Sequence, residues 1–285
     1  MKTNQLLIAP VLALVTLLCS GCERAFFGLV NRGVPPADAT VVYAPDRGLG
    51  LDVFRPRGVT GAAPTVVFFY GGGWKRGSRD QYRFFGHRLA ENGILAIVAD
   101  YRTYPEAGFP AFMDDAADAV AWARAHAGEY GGDPQRLFLA GHSAGTQIAG
   151  LLGTDGHYLA ARGIKPAQLA GVIGLSGPYD FVVGQRYASI FGAPSEWPKA
   201  QTINYVDGDE PPFLLIHGDA DRTVEVRDSI ELADKLRGVQ VPVTLVLLPG
   251  AGHMTPLAGL YAPQRAPTVL PAILDFIRAP AAAAH

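Results

Sequence analysis

The apolar residues of this chain fall mainly into short continuous runs that end at glycine, proline or a polar residue. Runs of this kind are typical of strands that are buried on both faces of a parallel sheet. Eight strands are predicted, at Thr40–Tyr43, Gly50–Arg55, Thr65–Tyr70, Ile94–Asp100, Arg136–Ala140, Gly171–Leu175, Phe213–His217 and Val243–Leu248.

Segments with apolar residues at helical spacing alternate with the later strands. The predicted helices are Arg79–Asn92, Phe112–Ala127, Ala144–Gly153, Glu225–Gly238 and Ala266–Arg278. Strands that alternate with helices favour an α/β fold in which a mostly parallel sheet is flanked by helices on both faces. The first strands are expected to form a meander, and one domain is expected over residues 39–279, followed by a short tail at 280–285.

The periodic pattern is lost between Gly177 and Pro211, after the sixth predicted strand. This stretch is rich in glycine, proline and aromatic residues, namely Tyr187, Phe191, Trp197 and Tyr205. An insertion at this position is expected to act as a small lid whose aromatic side chains either line a pocket or pack on the surface.

The sequence Gly141-His142-Ser143-Ala144-Gly145 joins a predicted strand to a predicted helix. A serine between glycines at such a turn has a strained backbone that exposes its hydroxyl group, as the nucleophile of a hydrolase requires. A serine hydroxyl also needs a histidine base and a carboxylate that orients the histidine. His253 follows the eighth strand, and Asp219 and Asp221 both follow the seventh, so spacing alone leaves the acid undecided.

A third element is the glycine run Gly71-Gly72-Gly73, which follows the strand ending at Tyr70. Consecutive glycines allow backbone N–H groups to approach one point without obstruction by side chains. Acyl transfer needs such donors to stabilise the oxyanion of its tetrahedral intermediate.

Together these blocks resemble carboxylesterases of the α/β-hydrolase fold, in the branch that holds hormone-sensitive-lipase-like esterases, prenylcysteine methylesterases and arylformamidases. The resemblance runs from about Thr40 to Ile277 and includes the blocks Ala99-Asp-Tyr-Arg102, Glu129-Tyr-Gly-Gly-Asp-Pro134 and His217-Gly-Asp-Ala-Asp221. It implies that Ser143, Asp221 and His253 are catalytic, with Asp219 as a turn former. It also implies an oxyanion hole made by Gly72, Gly73 and Ala144.

The chain departs from that family at Tyr70, where the His-Gly-Gly-Gly loop has histidine. The first position of the loop usually braces it, so the oxyanion hole is expected to persist. Candidate pocket residues are Trp74, Tyr70, Tyr179 and Tyr187.

The expected activity is hydrolysis of small or short-chain carboxylic esters through an acyl-enzyme. Two alternatives stay open, an amidase or formamidase of the same fold and a non-catalytic envelope protein that binds a partner or lipid. The formal net charge of −2 and the lack of a basic run argue against nucleic-acid binding. The histidines and cysteines lack the spacing of a metal site, and no cofactor is expected.

The amino terminus has the features of an export signal. Lys2 precedes the apolar run Leu6–Leu18, and Ser20-Gly21 precede Cys22. The ending Leu18-Cys-Ser-Gly-Cys22 resembles a bacterial lipobox, which predicts a signal over residues 1–21, acylation of Cys22, a tether over 22–38 and an envelope location on the periplasmic side. Cleavage by an ordinary signal peptidase and an uncleaved anchor are the alternatives. Since both cysteines lie in this region, the domain is expected to fold without disulfides.

Overall fold

A computed structural model describes residues 25–279 of the chain. The predicted signal, Cys22 and the tail at 280–285 lie outside these residues. Residues 25–30 form a helix, and this part of the expected tether lies against the domain. Phe27 is buried, with its ring 5.1 Å from that of Tyr82, and the side-chain oxygen of Asn31 accepts a hydrogen bond from the amide of Phe84.

One eight-stranded sheet forms the centre of the molecule, in the order β1-β2-β4-β3-β5-β6-β7-β8. Only β2 runs against the other strands, so the sheet is mostly parallel, as predicted. The strands are β1 Ala39–Ala44, β2 Leu49–Phe54, β3 Ala63–Phe69, β4 Leu95–Ala99, β5 Gly132–His142, β6 Gly171–Leu175, β7 Phe213–Gly218 and β8 Val243–Leu248.

The expected meander of the first strands is wrong beyond β2. β4, and not β3, pairs with β2, and β3 lies one position further into the sheet. The helix between β3 and β4 carries the chain back to the position beside β2. β3 and β4 thereby become interior strands, which agrees with their continuous apolar sequences.

Helices cover the sheet, in chain order α1 Arg83–Glu91, α2 Ala111–His126, α3 Ala144–Thr154, α4 Gly156–Ala160, α5 Gln185–Phe191, α6 Arg227–Gly238, α7 Thr255–Tyr261 and α8 Val269–Arg278. The helix predicted from Arg79 begins with a 3-10 turn over Arg79–Tyr82. The backbone amide and guanidinium of Arg79 both bind Asp100 at the end of β4, which holds this turn against the sheet. None of the helices within residues 25–279 is both long and apolar enough to cross a membrane.

The insertion after β6, residues 176–212, is here called the cap. It contains α5 and two short 3-10 helices, Pro194–Ala200 and Thr202–Tyr205. Trp197 donates its indole N–H to the carbonyl of Gly192, and the Tyr205 hydroxyl donates to that of Lys199. These two side chains therefore hold the cap together internally.

Candidate active site

Ser143 lies at the sharp turn between β5 and α3. Its backbone has φ 54° and ψ −122°, a left-handed conformation that non-glycine residues rarely adopt. The turn needs glycine on both sides, because a Cβ on Gly141 would lie 2.3 Å from the carbonyl of Gly145 and one on Gly145 would lie 2.0 Å from that of Phe69. The geometry is that of a nucleophile elbow.

Asp221 and His253 meet at the same edge of the sheet, after β7 and β8. Nδ1 of His253 lies 2.7 Å from Oδ2 of Asp221, whose side chain is fully buried. Asp219 points elsewhere, since its carboxylate accepts a hydrogen bond from the amide of Gly250 at 2.6 Å. The structure thus pairs Asp221 with the histidine and leaves Asp219 to brace the loop that carries it.

The His253 loop is attached to the elbow. The carbonyl of His253 accepts hydrogen bonds from Oγ of Ser176 at 3.0 Å and from Nε2 of His142 at 3.2 Å. The rings of His142 and His253 lie 4.9 Å apart between centroids. Since His142 immediately precedes Ser143, these contacts bring His253 beside the elbow.

Two of these side chains have strongly shifted pKa values. Burial acts to raise the pKa of Asp221, but hydrogen bonds from His217 and His253 outweigh it and hold that pKa well below its usual range. Burial, reinforced by the charge of His253, lowers the pKa of His142 to about 3. The site therefore contains an ionised carboxylate and a neutral buried imidazole near neutral pH.

The glycine run after β3 passes against the elbow, as a Cβ on Gly71 would lie 3.1 Å from that of Ser143. The amide of Gly71 donates to the hydroxyl of Tyr82. Among the hydrogen bonds formed within residues 25–279, none uses the amides of Gly72, Gly73 or Ala144. Gly72 and Gly73 have φ values of 131° and 62°, so this path of the backbone depends on glycine.

Tyr70 supports the glycine run from behind. Its ring is buried and stacks on that of Tyr101 at 4.6 Å, and each hydroxyl donates to the carbonyl of the other residue. Tyr179 is also fully buried, packed against Gly150 of α3 and Gly174 of β6. The structure therefore places these two tyrosines in the core.

Trp74 and Tyr187 lie together beside the glycine run. Their rings meet edge-on at 5.4 Å, and a Cβ on Gly73 would lie 3.7 Å from the Tyr187 ring. Phe181 stacks on Trp74 at 5.2 Å, and Phe191 packs edge-on against it at 4.9 Å. These four rings form an aromatic cluster between the cap and the glycine run.

Three neighbours of the site were absent from the sequence prediction. Phe181 lies in a stretch without periodicity, and Gln147, whose side chain bonds both the Trp74 indole and the carbonyl of Ala200, is one helical turn past the serine. His217 is the first residue of the block that ends at Asp221. Its place in that block is the signal by which the sequence could have indicated it. In the described part of the chain no group of three or more His, Cys, Asp or Glu side chains could hold a metal ion.

A family model described as BD-FAE matches residues 51–236, which include the glycine run, Ser143 and Asp221. The chain belongs to the BD-FAE family. It is similar to esterase LipC of Mycobacterium tuberculosis, with 34% identity over 239 residues that cover 75% of this chain and 58% of LipC. It is also similar to isoprenylcysteine alpha-carbonyl methylesterase ICME of Arabidopsis thaliana, with 30% identity over 75% of this chain and 56% of that relative. The chain thus spans little more than half the length of these curated relatives.

Solved structures confirm the α/β-hydrolase fold. The butyrate-bound esterase Est2 of Thermogutta terrifontis has a TM-score of 0.67 and 26% identity, covering 77% of this chain and 85% of that one. The native form of Est2 has a TM-score of 0.71 and 25% identity, covering 86% and 94%. The BD-FAE chain therefore has both the sequence blocks and the sheet of α/β-hydrolase carboxylesterases.

Proposed function

We propose that this BD-FAE protein is a serine carboxylesterase that uses Ser143, His253 and Asp221. The observation that carries the proposal is the 2.7 Å contact between His253 and the buried carboxylate of Asp221, on a loop tied to the elbow of Ser143. A carboxylate that accepts from Nδ1 fixes the tautomer in which Nε2 is free to act as a base.

In the proposed acylation step, Oγ of Ser143 attacks the ester carbonyl and Nε2 of His253 takes the hydroxyl proton. The amides of Gly72, Gly73 and Ala144 donate to the resulting oxyanion, which is consistent with their having no partner within residues 25–279. Collapse of the intermediate breaks the ester C–O bond, and the His253 imidazolium returns its proton to the leaving alcohol.

Deacylation repeats these steps with water as the nucleophile. His253 takes a proton from water, the hydroxide attacks the acyl carbonyl, and Ser143 leaves with the proton that His253 returns. The products are a carboxylic acid and the free enzyme. Over the two steps one ester and one water give one alcohol and one carboxylic acid, so the reaction balances.

We propose small or short-chain esters as the substrate class. The aromatic cluster beside the proposed oxyanion donors is compact and apolar, with Phe181 and Tyr187 partly exposed and Trp74 and Phe191 buried. The similarity to an esterase solved with butyrate bound, and to methylesterases that act on isoprenylcysteine, supports a small group on at least one side of the ester.

The test is hydrolysis of p-nitrophenyl acetate and labelling by a fluorophosphonate. Ser143→Ala is expected to abolish both, because it removes the proposed nucleophile at the elbow, while Ser195→Ala, in an exposed part of the cap, should keep both. Turnover by Ser143→Ala near the wild-type rate would refute the mechanism. A series of p-nitrophenyl esters from acetyl to decanoyl defines the acyl preference, and faster cleavage of matched anilides would assign the chain to the amidases.

We also propose that the protein is exported and anchored to the cell envelope by acylation of Cys22. The proposal rests on the pattern of residues 1–22, which lie outside the described structure.

A further inference from the structure

His217 is a second histidine on the carboxylate of Asp221. It is the last residue but one of β7, and its side chain is fully buried. Nε2 lies 3.2 Å from Oδ2 of Asp221 and 3.3 Å from the carbonyl oxygen of Val224, towards which its N–H is better directed. On the other side of the ring, Nδ1 lies 2.7 Å from Oγ of Ser229 in α6.

These neighbours determine where the ring carries hydrogen. Both groups near Nε2 are acceptors, so this nitrogen must be the donor. In the neutral ring Nδ1 is then the acceptor, and the hydroxyl of Ser229 donates to it. The hydrogen bonds run in one direction, from Ser229 to His217 and from His217 towards the Asp221 loop.

Asp221 thus receives donors at both oxygens. Oδ1 accepts from the amides of Thr223 at 2.7 Å and Val224 at 3.1 Å, while Oδ2 lies near the ring N–H groups of both His253 and His217. His253 must share Oδ2 with His217. The negative charge of Asp221, which orients His253, is therefore partly offset by the N–H of His217. That N–H takes no part in the proposed reaction.

We propose that His217 is a positioning residue that acts through Asp221 on the basicity of His253. The proposal rests on the proposed function, since it assumes that His253 is the base. The N–H of His217 places the positive end of a dipole beside Oδ2, which weakens the attraction of the carboxylate for a protonated His253. His253 is thereby kept unprotonated, and able to act as a base, at lower pH.

Other charged groups must be considered in a pH experiment on His253. Its ring faces Asp221 and the neutral ring of His142, and His217 acts from behind Asp221. Asp219 binds the amide of Gly250 on the same loop. On α6, the carboxylate of Asp228, next to Ser229, accepts from the amide of Tyr179. Of these groups, only Asp221 loses a neighbouring donor when residue 217 is changed. The hydrogen-bond partners of His142, Asp219 and Asp228 stay in place.

Two variants separate the roles of the two ring nitrogens. In His217→Asn the side-chain amide can reach the position of Nδ1 and the Ser229 hydroxyl, but not Asp221. In His217→Gln the amide nitrogen can reach the position of Nε2 and so keeps a donor for Asp221. Active sites in both variants are counted by fluorophosphonate titration, so that any misfolded fraction is excluded from kcat.

The experiment measures kcat/KM for p-nitrophenyl acetate against pH. In His217→Asn the acid limb of the pH profile is expected to move to higher pH by roughly 0.5 to 1 unit, which is the size expected for the loss of one neutral hydrogen-bond donor. We expect kcat to fall and KM to change little. His217→Gln should return the limb towards its wild-type position.

The direction of the shift decides the proposal. If His217 merely held the loop in place, its loss would let Asp221 move away from His253, and the acid limb would move to lower pH. A shift to lower pH in His217→Asn, no shift, or an equal shift in both variants would overturn the inference. Failure of the proposed function would instead appear as turnover by Ser143→Ala.

Discussion

At the scale of single residues, His142 shows how burial fixes a protonation state. The ring is fully enclosed between the elbow and the His253 loop, and burial lowers its pKa from an ordinary value of 6.5 to about 3. The Nε2–H of His142 therefore donates to the carbonyl of His253 without placing a positive charge beside the proposed base. A positively charged residue in this position would oppose the protonation of His253 that the proposed reaction requires.

The low pKa of His142 predicts a loss of stability in mild acid. The unfolded chain takes up a proton at this residue below about pH 6.5, whereas the folded chain does so only near pH 3, so the contribution to stability falls as pH falls through that window. The loss amounts to about 2 kcal/mol at pH 5 relative to pH 8. His142→Gln, whose amide can still donate to the His253 carbonyl, should show a flatter dependence.

The measurement is the free energy of unfolding in urea at pH 5 and pH 8 for the wild type and the variant. Asp228, whose pKa burial raises to about 6, titrates in the same range with the opposite sign, so the difference between the two proteins is the quantity to compare. Parallel pH curves would contradict the assignment of a buried neutral His142.

At the scale of elements, the start of α3 is pressed directly against the end of β3. A Cβ on Gly145 would lie 2.0 Å from the carbonyl oxygen of Phe69 and 2.5 Å from that of Tyr70. Because Gly71 follows at once, the same close contact fixes the distance between the serine turn and the proposed oxyanion donors. Gly145 therefore determines how closely the serine turn and the glycine run approach each other.

Gly145→Ala is expected to destabilise the protein by about 3 kcal/mol, at the upper end of the usual cost of overpacking, because both neighbours are backbone atoms that cannot rotate away. Chemical unfolding monitored by circular dichroism measures this. Gly128→Ala is the matched control, as a Cβ there meets no atom within 4 Å. A loss for Gly145→Ala no larger than that of the control would show that α3 can move freely from β3.

The strands that are buried at nearly every position were predictable from the sequence. β3, β4 and β6 were found because every position of an interior strand is apolar or nearly so, whereas the order of β3 and β4 depends on pairing that no local pattern records. β5 is longer than predicted, since Gly132 still pairs with Ala63 although the apolar run begins later.

The candidate site was predictable only in part. Ser143 and His253 could be located because each lies shortly after the end of a clear strand, but the choice between Asp219 and Asp221 depends on a side-chain direction that spacing does not contain. Phe181 joins the site through its contact with Trp74, which is distant in sequence. His217 contacts Asp221 only four residues further on, but that contact depends on the direction of its side chain, which spacing does not contain. Tyr70, Trp74 and Tyr179 are pocket candidates by their chemistry, yet all three lie in the core, and only Tyr187 of the four is partly exposed.

At the scale of the whole molecule, the segment that follows the proposed anchor is part of the folded domain. Phe26 and Phe84 both pack edge-on against Tyr261 of α7, at 5.8 Å and 5.6 Å, and Phe27 packs on Tyr82. α7 begins two residues after His253. The chain therefore runs from residue 25 directly onto the helix that follows the proposed base.

Cys22→Ser is expected to move the protein from the membrane fraction to the soluble periplasmic fraction, because a serine at this position cannot carry the thioether-linked lipid. Cell fractionation with detection of the processed size measures this. Continued membrane association with unchanged processing would contradict lipidation, and hydrolysis of p-nitrophenyl acetate by the released protein serves as the control for folding.

The position of Trp74 has an optical consequence. Its indole is hydrogen-bonded to Gln147 and stacked on Phe181, so its surroundings include α3, the glycine run and the cap at once. The chain contains three tryptophans, and replacing Trp122 and Trp197 by phenylalanine would leave this one as the sole emitter. Because Trp74 is buried where these three parts meet, a change in the emission of that variant would report a movement of the cap against the glycine run, and the same signal serves for esters that carry no chromophore.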